Sequence, residues 1–363
     1  MKKTYLEQLD VFRALAALSV CAVHFSYNSI FHTYFKQALF VQFFFTLSGF
    51  VIYLNYHNYN FNFYTIQKFL IKRFFRLYPL HLFFLLIFFL IEFIKYFLQS
   101  NYGVIANNKP FVLNGINNLF LHLFFLQHYA DKYAFNGPAW SISVEMFLYI
   151  TFSILIFLNK KLFLFIPIFY IIFFLLFLTN TYGAGYSNQA FFSGLYSFFI
   201  GCIFCFIYLK DKNFFKSKFY NFTYYVMILL FLAEMFGYKL LFKLNYSFLY
   251  SIFFGLLIYF SCFLNKDFLI YKILFNNFFI FLGKISYSIY LSHVFIFFMF
   301  NNFLRFVLKR QDVVNLDGKV SLELNVFEAN LFTLFVYILT IFFSSLTYKY
   351  IENKFYKKKW YFS

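Results

Sequence analysis

Residues 138–158 read PAWSISVEMFLYITFSILIFL, an apolar segment that carries one charged residue, Glu145. A helix of about 20 such residues crosses the roughly 30 Å of hydrocarbon in a bilayer. Similar runs recur along almost the whole chain of 363 residues, of which 63% are hydrophobic and 12% are charged. A soluble domain could not cover so much apolar surface with so few charges. The sequence therefore predicts an all-α integral membrane protein.

The chain is predicted to cross the membrane about ten times, because its apolar runs each approach the length of a spanning helix. No stretch resembling a soluble domain interrupts them, so we expect one membrane domain over residues 1–363, without an appended periplasmic domain. The predicted spans are residues 9–28, 37–56, 77–98, 138–158, 162–179, 190–209, 219–236, 246–264, 274–300 and 329–350.

Basic residues indicate the direction of the spans, because cytoplasmic loops are enriched in Lys and Arg. If the N-terminus is cytoplasmic, the inner loops hold more of these residues than the outer loops, and the C-terminus is cytoplasmic too. The short apolar run 119–127 would reverse this pattern if it crossed, so we expect a re-entrant or interfacial segment there. The inner basic residues are Lys68, Lys72, Arg73, Arg76, Lys160, Lys161, Lys210, Lys212, Lys216, Lys218, Lys354, Lys357, Lys358 and Lys359.

Composition argues against nucleic-acid and metal sites. The net charge of +18 lies mainly in loops between apolar runs, where it marks topology rather than nucleic-acid binding. Cys202 and Cys205 have CxxC spacing, but no second ligand pair accompanies them. Buried cysteine is commonly a small hydrophobic residue, so we predict no metal site.

Two polar residues on the first predicted helix are functional candidates, because charged groups within a bilayer are costly. Arg13 and His24 are about three turns apart, so they share one face and are separated by roughly 16 Å along the axis. Arg13 is expected near the cytoplasmic end and His24 in the outer half. Taken alone, a snorkelling arginine and a hydrogen-bonded core histidine explain the pair equally well.

The segment RFFRLYP, residues 73–79, is predicted to precede the third helix on the cytoplasmic side, with Pro79 in the first turn of that helix. Arg73 and Arg76 would share a helical face and could bind phosphate through paired hydrogen bonds. Basic residues at a membrane boundary also set topology or bind anionic lipid, which is the structural alternative.

Residues 136–149, NGPAWSISVEMFLY, begin at the predicted outer surface and enter the fourth helix. Ser141, Glu145 and Tyr149 follow one another at intervals of four and lie on one face. Glu145 is expected at a depth similar to that of His24. A buried carboxylate needs a cationic or hydrogen-bonding partner, so either His24 or neighbouring hydroxyls could satisfy it.

Other segments have a mainly structural interpretation. The ninth helix carries ISYSIYLSH, residues 285–293, and places His293 in the outer half, on a different face from Lys284. His81 is interpreted as a boundary residue of the third helix. Gly49 follows Ser48 on the second helix, and this small pair permits close helix packing.

These segments together resemble the membrane-bound acyltransferase family 3, whose bacterial members O-acetylate surface polysaccharides and other extracytoplasmic acceptors. Family members often have a proline soon after the C-terminal glutamate, whereas Glu352 in this chain is followed by Asn353 and Lys354. Many family members also carry a periplasmic hydrolase-like domain, and none is expected here, so we do not expect a two-stage scheme in which a fused domain completes the transfer. The matching motifs, in order along the chain, are Arg13 with His24, residues 44–50, Arg73 with Arg76, residues 140–145 and residues 286–293.

The resemblance implies transfer of an acyl group, in particular from acetyl-CoA, to a sugar hydroxyl at the bacterial inner membrane. Arg13, Arg73 and Arg76 would bind the polyanionic donor from the cytoplasmic side. An imidazole can remove a hydroxyl proton near neutral pH, so His24 is the predicted general base. Direct attack and a transient acyl-enzyme are both open. Glu145 would orient His24, and the acceptor site would be lined by Ser141, Tyr149, His293 and Trp140.

Two rival functions belong to other classes. A polysaccharide flippase or transporter would show internal repeats and interrupted helices around a midplane site. A glycan polymerase would be expected to show a large outer loop, whereas the predicted outer segment 301–328 is modest. No internal repeat is evident in the chain, and the family resemblance favours the enzyme.

Overall fold

The apolar runs form helices in the computed structural model, which describes residues 6–25, 27, 29–35, 39–59, 61–104, 108–130, 134–158, 186–211, 218–235, 247–263, 276–314 and 320–357. The predicted span 162–179 lies outside these residues. Among them the helices are α1 (Gln8–His24), α2 (Ile30–Phe35), α3 (Phe40–Tyr56), α4 (Phe63–Tyr102), α5 (Ile116–Leu123), α6 (Trp140–Leu158), α7 (Tyr186–Asp211), α8 (Lys218–Met235), α9 (Ser247–Ser261), α10 (Asn277–Lys284), α11 (Ser286–Phe306), α12 (Val326–Thr347) and α13 (Asn353–Lys357).

Five of the described helical segments are long and apolar enough to cross a membrane. Three further apolar helices are shorter, at Phe40–Tyr56, Thr223–Ala233 and Leu249–Ser261. These helices agree with a multi-pass membrane protein, while the count of ten spans and the orientation of the termini stay predictions. The five long segments are Phe63–Tyr102, Gly137–Leu158, Phe191–Lys210, Ser286–Phe306 and Val326–Phe355.

Helix α4 begins much earlier than predicted. Its N-cap is Asn62, whose side chain accepts a hydrogen bond from the backbone of Thr65 while the Thr65 hydroxyl receives one from the Asn62 backbone. This reciprocal cap satisfies the first amide groups and starts a helix of 40 residues, about 60 Å long. Arg73 and Arg76 therefore lie inside the helix, and the prediction that they precede it is wrong. Pro79 lies in the helix interior rather than in its first turn.

The predicted ninth span is divided into two helices. Asn276 caps α10 by accepting from the Phe279 amide at 3.0 Å, and the helix ends at Lys284. Ile285, with φ −93° and ψ 7°, departs from helical backbone geometry and separates α10 from α11, which starts at Ser286. This break places the end of α10 beside α1, which packs along both helices.

Helices α3 and α7 make the most extensive helix contact among the described residues, and two glycines permit it. A Cβ atom at Gly49 would lie 1.9 Å from the Phe198 carbonyl oxygen, and one at Gly201 would lie 1.9 Å from that of Thr46. Neither glycine can carry a side chain at this backbone separation. The predicted packing role of Gly49 is confirmed.

A short helix and the loops around it are tied to α4 and α6. Helix α5 overlaps the predicted re-entrant or interfacial segment 119–127 and has 8 residues, too few to cross a bilayer. Nε2 of His81 lies 2.9 Å from the His122 carbonyl oxygen of α5. His81 is 1% exposed and lies inside α4, so the prediction that it is a boundary residue is wrong. The Glu92 side chain of α4 accepts hydrogen bonds from Lys95, from the Phe111 amide and from Asn114. These hydrogen bonds hold the loop between α4 and α5 against α4.

One small sheet departs from the all-α prediction. Strands β1 (Asp312–Val314) and β2 (Val320–Leu322) pair antiparallel between α11 and α12. Ion pairs of Arg305 with Asp312 and of Arg310 with Glu328 tie this segment to the two helices.

Buried apolar side chains form the interior between the helices. The largest cluster joins α1, α3, α4, α6 and α7 with α8 and α9, and a second cluster joins α1, α11 and α12. Apolar side chains on the outward face of α4, such as Leu90 and Phe93, are more than half exposed, as expected for contact with lipid. The polar groups described next lie among the buried clusters.

Candidate functional site

Three arginines from two helices face a shared internal space. Arg13 on α1 and both Arg73 and Arg76 on α4 line two adjoining cavities, of about 80 and about 270 Å³. The arginines lie where the cavities meet, since all three belong to both linings. The family resemblance assigns all three arginines to the donor, and in the structure they line the same two cavities.

Arg73 is enclosed by aromatic rings. It is 5% exposed, and its guanidinium carbon lies 5.6, 5.5 and 5.4 Å from the ring centres of Tyr56, Phe69 and Tyr149. Cation–π attraction stabilises a guanidinium in such a cage. Its Nε atom is buried and has no hydrogen-bond partner among the described residues. A buried donor of this kind is costly unless a ligand or water accepts from it.

Acidic residues balance part of this positive charge. Asp10, 1% exposed, pairs with Arg13 at 2.7 Å within α1. Glu352, at the end of a π-helical turn (Tyr348–Glu352), accepts from the Ser288 hydroxyl at 2.7 Å. Asp10, Glu352 and Lys284 line the larger cavity with the three arginines. The larger cavity is therefore a mixed-charge chamber with an excess of cations.

The predicted face of α6 opens into the smaller cavity. Ser141, Glu145 and Tyr149 all line it, as their spacing predicts. Glu145 accepts hydrogen bonds from the Tyr149 hydroxyl and, at 3.3 Å, from Ser48 on α3. Neighbouring hydroxyls thus satisfy this carboxylate, the second of the two alternatives that the sequence leaves open. The orientation of His24 by Glu145 stays a prediction.

The two histidines expected in the outer half are neighbours. The ring of His24, the last residue of α1, lies 5.1 Å from the ring of His293 on α11. Neither lines the two cavities described above. Tyr290 links the histidine pair to the smaller cavity, because it lines that cavity and its ring lies 6.1 Å from that of His293. The Tyr290 hydroxyl also lies 2.8 Å from that of Ser141.

Trp140 lies beside the cavity rather than in its lining. Its indole makes an edge contact with Phe45, with ring centres 6.3 Å apart. This contact joins α6 to α3 at the level where Ser141 faces the smaller cavity. The predicted acceptor contact of Trp140 stays a prediction.

Several site residues were missed by sequence reasoning. From the sequence, Ser48 is assigned together with Gly49 to helix packing, although a hydroxyl on a membrane helix is itself an indication of a functional residue. Tyr287 and Tyr290 belong to a motif in which only the histidine was selected. Tyr287 lines both cavities and donates to the Leu77 carbonyl at 2.7 Å, which joins α11 to α4.

Helices long enough to span a bilayer surround the buried Arg73, partly exposed arginines, carboxylates and tyrosine hydroxyls. This arrangement defines a multi-pass membrane protein with an internal polar site. A family model described as an acyltransferase domain matches residues 6–349, nearly the whole chain. The chain therefore belongs to acyltransferase family 3, as the resemblance predicts. No curated protein and no solved structure matches it.

Proposed function

We propose that this acyltransferase moves an acetyl group from acetyl-CoA to a hydroxyl of an extracytoplasmic or lipid-linked sugar, in the bacterial inner membrane. The buried Arg73 carries the proposal: its Nε has no acceptor among the described residues, and two further arginines share its cavities. The phosphate groups of coenzyme A are suitable acceptors for such guanidinium groups.

The donor's polar end matches the larger cavity. Arg13, Arg73 and Arg76 would bind phosphate oxygens, and the predicted topology puts these residues toward the cytoplasm, where coenzyme A is found. Asp10 already pairs with Arg13, and Nε of Arg73 has no acceptor among the described residues, so Arg73 is the main phosphate ligand in this proposal. The smaller, more hydroxyl-rich cavity would then take the acyl end.

The acceptor hydroxyl becomes an effective nucleophile when a base removes its proton, and His24 is the base in this proposal. Glu145 would favour the imidazolium of His24 through its negative charge, and Tyr149 and Ser48 would hold that carboxylate in place. Ser141, Tyr149, Trp140 and His293 would contact the acceptor. The oxygen attacks the thioester carbon, the C–S bond breaks, and the leaving sulfur receives the proton.

Reconstitution tests the proposal. The purified full chain in proteoliposomes would be given radiolabelled acetyl-CoA and the surface glycan extracted from cells that carry the gene. Acetyl incorporation that requires both components supports the proposal. Movement of unmodified glycan across the bilayer, with no use of acetyl-CoA, would instead identify a flippase.

A further inference from the structure

His293 is a buried imidazole with one nitrogen engaged and the other available. It is 0% exposed, and its Nδ1 lies 3.3 Å from the Ile289 carbonyl oxygen one turn earlier on α11. A carbonyl can only accept, so Nδ1 carries the proton in this hydrogen bond. In the neutral ring, Nε2 is then the unprotonated nitrogen.

That second nitrogen has no hydrogen-bond partner among the described residues, although it is fully buried. An unsatisfied acceptor in the interior is costly and is uncommon without a role. The neighbouring ring is His24, with centres 5.1 Å apart and planes inclined at 52°. At this separation, and without a direct hydrogen bond between the rings, two imidazoles can exchange a proton through one bridging water molecule.

We infer that His293 is the proton acceptor for His24, so that the two rings work as a relay during acyl transfer. This inference rests on the proposed function. His24 takes the proton of the acceptor hydroxyl on one nitrogen while the proton on its other nitrogen passes to Nε2 of His293. The hydroxyl O–H bond breaks, the O–C bond to the acyl carbon forms and the C–S bond of the thioester breaks. The relayed proton then returns through His24 to the sulfur, which leaves an ester and a free thiol.

One backbone contact of His293 suits this role. Its Nδ1–H bond to the Ile289 carbonyl is retained, and strengthened, when the ring becomes an imidazolium. Phe25 packs against one side of His293, with ring centres 6.3 Å apart. The titratable side chains near His293 include His24, Tyr290 at 6.1 Å between ring centres, and Cys21 and Tyr337 around Phe25. The relay partner nearest to His293 is therefore His24.

The test compares variants of the purified full chain in proteoliposomes, with acetyl-CoA as donor and the cells' own surface glycan as acceptor. His293→Asn keeps an N–H near the Nδ1 position for the Ile289 carbonyl but has no basic nitrogen. We expect its kcat to fall about 100-fold while the KM for acetyl-CoA stays unchanged. Ser292→Ala, which removes the equally buried contact with Ser344, serves as the structural control with wild-type kcat.

A double variant separates a relay from two independent effects. Because groups that act as one unit are non-additive, His24→Asn combined with His293→Asn should be no slower than His24→Asn alone. In nitrogen-15 NMR of histidine-labelled protein, the signals lost in His293→Asn belong to His293. We expect their chemical shifts in the wild type to be those of the Nδ1–H tautomer. Wild-type kcat in His293→Asn, or a double variant slowed by the product of the single effects, overturns the relay. Absence of transfer by the wild-type chain would instead refute the proposed function.

Discussion

The guanidinium carbon of Arg73 lies 5.4 Å from the centre of the Tyr149 ring, and the Tyr149 hydroxyl donates to Glu145. One tyrosine thus contacts a cation from α4 and a carboxylate on its own helix, α6. The aromatic ring stabilises the guanidinium, and the hydroxyl satisfies the carboxylate. This contact joins the proposed donor end of the site to the hydroxyl-rich cavity.

Replacement of Arg73 should weaken binding of the donor. Hydrogen bonds to charged groups contribute about 1.5–3 kcal/mol, which corresponds to about 10- to 100-fold in affinity. We expect Arg73→Gln to lose this much affinity for acetyl-CoA, measured by calorimetry in detergent. Arg73→Lys should restore little, because an ammonium lacks the planar fork of donors. Arg305→Gln, at the β-hairpin, is the control, and equal losses in both variants would contradict the assignment.

Replacement of His24 should slow transfer while the donor still binds. General base catalysis contributes about 10²- to 10⁴-fold, so His24→Asn should lower kcat by that range. Acetyl incorporation at saturating acetyl-CoA measures the effect. The control is His57→Asn, in which the changed residue stacks on Tyr53 at the end of α3. A His24→Asn protein with undiminished kcat would remove the proposed base.

Loss of the Tyr149 hydroxyl should destabilise the fold as well as the site. In Tyr149→Phe the Glu145 carboxylate keeps only Ser48 of its two hydroxyl partners. Removal of a hydrogen bond to a charged group costs about 1.5–3 kcal/mol, so thermal unfolding in detergent should shift to lower temperature. Tyr129→Phe, where the ring is 65% exposed, should unfold like the wild type. A matching shift in both would show that Glu145 does not depend on Tyr149.

The contact between α3 and α7 should not tolerate a methyl group. Gly201→Ala would put a Cβ 1.9 Å from the Thr46 carbonyl oxygen and force the helices apart. Overpacking of this kind costs about 1–3 kcal/mol or more. Gly103→Ala is a milder control, because no atom lies within 4 Å of the added Cβ. Only the φ of +65° at Gly103 disfavours alanine there. Thermal unfolding should therefore be lowered much more by Gly201→Ala, and the reverse order would contradict the close approach.

Acid should loosen the packing of α5 against α4. Burial lowers the pKa of His122 to about 3, and the nearby His81 acts in the same direction. The ordinary histidine pKa is about 6.5, so between these values the unfolded chain binds more protons and stability falls as the pH falls. Unfolding measured from pH 7.5 to 5.0 should show this loss, and His122→Gln should reduce it. An unchanged slope in His122→Gln would exclude His122 as its source.

Part of the site could be predicted because helical spacing is a local property. The intervals of four between Ser141, Glu145 and Tyr149 place them on one face whatever the rest of the chain does, and all three line the smaller cavity. The start of α4 was missed for an equally local reason. The polar cap formed by Asn62 and Thr65 lies outside the apolar run from which the span was inferred.

The amino-acid sequence alone determined the membrane class, most helix positions and the family, because hydropathy, periodicity and motif order are written along the chain. Only the tertiary structure decided which polar groups meet. Ser48 and Glu145 are 97 positions apart, and their contact depends on how α3 and α6 rotate and approach one another. The same holds for His24 beside His293, since interhelical packing, and not spacing along the chain, sets the distance between their rings.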